Sequence, residues 1–111
     1  MEVRPRKIVY YQTILNRKPF LEWLTGYKGQ KIYGMIQIRL RRVEQGNLGL
    51  TENAGEGVVE LKIDFGPGYR IYIGQDGDTI VLLLGGYKDT QPGDIETAKK
   101  YWRDYRARTG R

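Results

Sequence analysis

Val58-Val59-Glu60-Leu61-Lys62-Ile63-Asp64, then Gly66-Pro67-Gly68, then Tyr69-Arg70-Ile71-Tyr72-Ile73-Gly74, Asp76-Gly77 and Thr79-Ile80-Val81-Leu82-Leu83-Leu84: this stretch decides the fold. Three runs of β-branched and aromatic residues are separated by Gly, Pro and Asp, which predicts strands over 58–64, 69–74 and 79–84. Asp76-Gly77 closes the second pair as a hairpin. Gly66-Pro67-Gly68 joins two strands and opens no helix, so it reads as a turn and not as a phosphate loop. The two-residue period puts Val59, Leu61 and Ile63 on one face, with Tyr69, Ile71 and Ile73 beside them. Glu60, Lys62, Arg70 and Tyr72 take the opposite face. The unbroken apolar run 81–84 marks a central strand covered on both sides.

Downstream, residues 92–108 predict a helix that buries Ile95, Ala98, Trp102 and Tyr105, with acidic residues in its first turn and arginines near its end. Upstream, Asn47, Gly49, Asn53, Gly55 and Gly57 make 47–57 a loop. Before it, a helix over 30–45 places Ile32, Ile36, Leu40 and Val43 on one face, and Pro19 opens a short helix over 19–25. These two pack as a hairpin. A strand over 7–12 precedes them. The order β-α-α-β-β-β-α describes one α+β domain over 1–111, with an antiparallel sheet of about four strands, an N-terminal helical hairpin and a C-terminal helix. Trp23 and Trp102 fall at core positions.

The 111 residues include 19 Lys+Arg, 13 Asp+Glu and no His or Cys; Ser is absent as well. Disulfides, thiolate nucleophiles, cysteine-held zinc and imidazole acid–base chemistry are therefore excluded. Any chemistry runs on Lys, Arg, Tyr, Glu or Asp. The N-terminus shows no apolar signal core and no stretch is long enough to span a membrane, so a cytoplasmic protein is expected. Charge is segregated: residues 1–46 hold 10 basic and 3 acidic side chains, 47–98 hold 3 and 9, and 99–111 hold 6 and 1. Lys62, Arg70 and Lys88 are the three cations of the acidic middle.

On the polar face of the strands, Glu60, Lys62, Arg70 and Tyr72 crowd together, within reach of Lys88. Two readings are open. Glu60–Lys62 and Asp64–Arg70 can be surface ion pairs of little energetic weight. The same set can hold a phosphate, with Arg for a bidentate grip, Lys as a point charge and Tyr as donor.

Three blocks resemble the RelE/ParE toxin superfamily, and within it the short HigB-like "addiction module killer" proteins. They are Phe20-Leu21-Glu22-Trp23-Leu24 with Ile38-Arg39-Leu40-Arg41-Arg42-Val43-Glu44-Gln45-Gly46-Asn47; Gly55-Glu56-Gly57-Val58-Val59-Glu60-Leu61-Lys62-Ile63 running into Gly66-Pro67-Gly68-Tyr69-Arg70-Ile71-Tyr72; and Leu82-Leu83-Leu84-Gly85-Gly86-Tyr87-Lys88-Asp89-Thr90-Gln91, followed by Asp94-Ile95 and Tyr101-Trp102. The resemblance covers about residues 8–105 and implies a small RelE-like fold. It also implies the toxin of a type II toxin–antitoxin pair, a ribosome-dependent mRNA endonuclease that needs no metal or other cofactor and uses the RNA 2′-hydroxyl as nucleophile. Arg70 matches the family's sheet arginine, assigned to the scissile phosphate, and Lys62 and Lys88 match its basic positions on the neighbouring strand and after the last strand. Many relatives carry a His or Tyr near the chain end, and this chain has no His.

The chemistry needs a base, a stabiliser of the phosphorane and an acid. Arg70 is the stabiliser, Glu60 or Lys62 the candidate base, and Tyr72 or Lys88 the candidate acid. Lys28, Lys31, Arg39 and Arg42 on the second helix, and Lys99, Lys100 and Arg103 on the last, are either solvated charges or contacts to ribosomal RNA. The implied partners are the ribosome, its message and an antitoxin of helix-turn-helix type encoded alongside. Other readings are a ParE-like inhibitor of DNA gyrase, or a member that only binds its antitoxin or nucleic acid.

Overall fold

A computed structural model describes residues 4–110; Met1, Glu2, Val3 and Arg111 lie outside the described residues, and with them the first three positions of the expected leaderless N-terminus. Pro19 opens α1 (Pro19–Thr25), and Phe20 and Leu24, one turn apart, are its buried residues. Helix α2 (Lys31–Glu44) buries Ile32, Ile36 and Val43, with Leu40 partly covered. It stops at Gly46, whose φ of 92° suits a left-handed helix end and leaves no room for a Cβ against the Arg4 backbone. The meander is present as β3 (Val58–Ile63), β4 (Tyr69–Asp76) and β5 (Thr79–Tyr87), all antiparallel. A single 3-10 turn (Lys88–Thr90) leads into α3 (Gln91–Thr109).

Two features depart from the expected four-stranded antiparallel sheet. Residues Thr51–Gly55, read as loop, form an extra strand, β2, paired with β3 through a two-residue Glu56-Gly57 turn. Both turn residues have positive φ, 54° and 87°, which matches the twist of a tight hairpin. The first strand, β1 (Lys7–Tyr10), is shorter than expected and pairs in parallel with β5. The sheet is thus mixed and five-stranded, in the order β1-β5-β4-β3-β2.

Both faces of the sheet are covered. Leu61, Ile63, Ile71, Ile73, Ile80 and Leu82 pack with the buried residues of α1 and α2. Val58, Tyr72, Val81 and Leu83 pack with Ala98 and Trp102 of α3. A register shift between Tyr72 and Ile73 sets Tyr72 opposite Leu84 and Ile73 opposite Leu82, a bulge that leaves Leu83 and Leu84 both on the α3 face. Gly74 and Gly85 have no room for a Cβ because Trp102 and Trp23 lie flat against them. The polar face of β3 and β4 is therefore no open concave surface, since α3 roofs most of it. Among the described residues no helix is long and apolar enough to cross a membrane.

Candidate phosphate-binding site

Strand alternation places Glu60 and Lys62 of β3 and Arg70 and Tyr72 of β4 on the face that α3 covers. In the ladder Lys62 stands opposite Arg70, and Glu60 opposite Tyr72. Like charges directly across a strand pair destabilise it, so both cations take counter-ions. Arg70 Nε donates to Glu60 Oε1 at 3.0 Å, and Lys62 Nζ lies 2.9 Å from Glu52 Oε1 on β2. The pairs expected from sequence, Glu60–Lys62 and Asp64–Arg70, are absent among the described residues. Each cation pairs instead with a carboxylate diagonally across a neighbouring strand, Arg70 with Glu60 and Lys62 with Glu52.

Arg70 is held at two points. Besides Glu60, its Nη1 donates to the Gly68 carbonyl at 3.1 Å. A guanidinium has five N–H groups, so three remain. Its side chain is 12% exposed and Lys62's 29%, and both line a groove of about 240 Å3 with Leu50, Ile63, Asp64, Gly68 and Tyr69. The Gly68 carbonyl also accepts the backbone N–H of Lys88 at 2.9 Å. This bond ties Lys88 to the same corner, with its side chain exposed. Lys62 and Arg70 are thus brought together in one groove, and the Lys88 backbone is tied to the carbonyl that anchors Arg70.

Glu60 and Tyr72 sit differently from expectation. Glu60 is 1% exposed, the one buried charged residue among the described residues; Tyr72 is fully buried. Among the described residues the Tyr72 hydroxyl has no hydrogen-bond partner. Burial, reinforced by the nearby Glu60 and Asp94 carboxylates, pushes this phenol well above its ordinary value. Both groups lie beneath α3, out of a substrate's reach in this conformation.

Gln91, the first residue of α3, completes the arrangement. Its side-chain amide donates to Glu60 Oε2 at 2.9 Å and to Oε1 at 3.3 Å. Sequence reading assigned Gln91 no role, because no local pattern links it to Glu60, 31 positions away. Nearby, Thr90 Oγ1 bonds the Asp94 carboxylate, which sits where a Cβ on Gly86 would be.

The outlying cations divide into two sets. Arg39 and Arg42 of α2 line a second groove of about 360 Å3 with Met35, Ile38, Lys62 and Ile63. Lys62 and Ile63 border both grooves, so this set is continuous with the Arg70 site. Burial, with Arg42 close by, pushes the Arg39 guanidinium below its usual value, and Arg39 Nη2 donates to the Leu50 carbonyl at 3.2 Å. Lys28 is exposed in the turn between α1 and α2, short of the helix expected to carry it, and Lys31 is exposed at the start of α2, its Nζ 5.7 Å from the centre of the Phe65 ring. The α3 set lies apart. Lys99 pairs with Glu96 at 3.6 Å, Arg103 with Glu56, and Lys100 is exposed. Among the described residues no three carboxylates gather as a cation site needs.

A small α+β fold whose Lys62 and Arg70 side chains line a shallow groove on its sheet is the class these features define. No family model and no solved structure matches the chain. An uncharacterized protein of Haemophilus influenzae is 41% identical over 81 residues, which span 72% of this chain and 82% of that protein. The chain belongs to the same family as that protein.

Proposed function

We propose that this chain is a toxin of the RelE/ParE superfamily, of the HigB-like kind, that works in the cytoplasm as a ribosome-dependent mRNA endonuclease. The observation that carries the reading is the pair of cations facing each other across β3 and β4. Lys62 and Arg70 converge on one groove, Lys88 is anchored beside them, and Arg70 keeps three N–H donors beyond its two anchors. The three-block resemblance supplies the reaction class.

In this reading the RNA 2′-oxygen attacks the adjacent phosphorus and the 5′-oxygen leaves. The products are a 2′,3′-cyclic phosphate and a 5′-hydroxyl. Arg70 and Lys62 carry the charge of the pentacoordinate intermediate. Lys62, half-buried beside Glu52, and Lys88, exposed, exchange protons with the reacting oxygens, one accepting from the 2′-hydroxyl and the other donating to the 5′-oxygen as it leaves. Glu60 acts through Arg70, and Tyr72 through packing. No metal or other cofactor takes part. The ribosome holds the message in line for attack, a service the shallow groove does not provide. Arg39 and Arg42 extend the phosphate track along α2, and an antitoxin with an acidic segment neutralises it.

The test is purified protein added to a translating extract, with message ends read by primer extension. Cuts inside the ribosome-occupied frame that end in a cyclic phosphate support the reading. Intact message contradicts it. Burial of Glu60 and Tyr72 favours one second reading, a member that binds antitoxin or nucleic acid without cutting. That member would retain message while still binding RNA. Loss of gyrase supercoiling with message intact would point to a ParE-like inhibitor instead.

A further inference from the structure

We infer that Gln91 is the positioning residue of this site: it fixes the Glu60 carboxylate, and Glu60 in turn aims Arg70. Glu60 comes from β3 and Gln91 from α3, 31 positions apart, so the contact joins the start of α3 to the sheet. Glu60 is 1% exposed, and water cannot replace a missing donor there. Among the described residues its Oε2 accepts from the Gln91 amide at 2.9 Å, while Oε1 accepts from Arg70 Nε at 3.0 Å and from Gln91 at 3.3 Å. A carboxylate gripped on both oxygens has one orientation, and that orientation fixes the plane of the guanidinium. Without the amide, Oε2 is a buried acceptor with nothing to accept, and the carboxylate turns to find a donor.

The chemistry of position 91 gives a signature that simple packing would not. Gln91→Glu keeps the shape and replaces the amide with a carboxyl group. Ionised, it faces Glu60 as a like charge and offers no proton. Protonated, its O–H donates to Glu60 as the amide does. The other charged or titratable groups around Glu60 are Arg70 and Tyr72 on β4, Lys62 on β3, Glu52 on β2 and Asp94 on α3. All are common to both proteins, so the ratio of variant to wild type at each pH isolates residue 91.

The experiment is side-chain nitrogen-15 NMR on the full chain, following hydrogen exchange of the Arg70 Nε–H, with the resonance assigned by its loss in Arg70→Lys. Wild type, Gln91→Ala and Gln91→Glu are compared from about pH 4 to pH 8, a window that spans carboxyl titration. In Gln91→Ala we expect exchange faster than wild type by roughly tenfold or more at every pH, the scale on which outer partners of a site act. In Gln91→Glu we expect the same acceleration at the alkaline end and return toward wild type at the acid end. Unchanged exchange in Gln91→Ala, or the absence of acid recovery in Gln91→Glu, overturns the inference. So does failure of both variants to fold at any pH, which would make Gln91 a support of the fold and not of the arginine. A second arm rests on the proposed nuclease reading: message cutting falls about tenfold in Gln91→Ala and is restored by acid in Gln91→Glu. If wild type cuts nothing, that reading fails while the exchange result stands.

Discussion

Tyr72 shows what one side chain under α3 reveals about the site. Its hydroxyl is buried without a partner among the described residues, so Tyr72→Phe removes a desolvated group and no hydrogen bond. We expect stability unchanged or raised by up to about 1 kcal/mol in denaturant unfolding. A loss larger than that would mean the hydroxyl is bonded in solution. Tyr11 differs: its hydroxyl donates to Asp104 at 2.6 Å, and burial, then that bond, push it up to about 12 from 10.0. A raised phenol stabilises the fold fully below its unfolded value, and this contribution is lost as pH rises through the folded one. The melting temperature should therefore fall between about pH 10 and pH 12, less steeply in Tyr11→Phe; equal slopes in the two proteins would contradict the assignment. Alternation along β3 and β4 was enough to place Glu60, Lys62, Arg70 and Tyr72 on one face. Their pairing was not legible, because Glu60 is matched by a diagonal arginine and by an amide from a distant helix. Nor was the burial of Tyr72, which depends on α3 lying across it.

At the scale of elements, local patterns carried the helices and the meander. The Pro19 start, the Ile32/Ile36/Val43 stripe and the Gly46 stop all act within a few residues of themselves. The added strand and the parallel pairing of the first strand depend on distant partners. Thr51–Gly55 is rich in turn-forming residues and becomes a strand because β3 offers an edge and Glu56-Gly57 makes the reversal. The parallel match of Lys7 with Thr79 joins residues 72 positions apart, which no local pattern encodes. The contact of α3 with the sheet is steric as well as polar, since Trp102 occupies the space above Gly74. Gly74→Ala should cost about 1–3 kcal/mol by overpacking, seen as a lower denaturation midpoint at unchanged m-value. A neutral result would mean that α3 lies further from β4 than described.

For the whole molecule, the segregation of charge in the sequence becomes a division of surfaces. The α2 cations line a second groove that meets the Arg70 groove at Lys62 and Ile63, whereas Lys99 and Arg103 are occupied by Glu96 and Glu56. Binding of a non-cleavable single strand should therefore depend on salt through the first set. With the four groove-lining cations Lys62, Arg70, Arg39 and Arg42 engaged, log K against log salt should have a slope of about −3, reduced by roughly 1.4 in Arg39→Ala/Arg42→Ala and nearly unchanged in Lys99→Ala/Arg103→Ala. The opposite ranking would place the nucleic acid on α3. The most direct measurement of the central claim compares wild type, Arg70→Lys and Arg70→Ala in a translating extract, scoring message cuts per ribosome over time. Arg70 is both anchored and forked, and lysine keeps the charge but not that geometry. We expect cutting by wild type, a fall of roughly 100-fold or more in Arg70→Lys, and none in Arg70→Ala. Intact message with wild type, or equal cutting by all three, would contradict the assignment of this groove to a scissile phosphate.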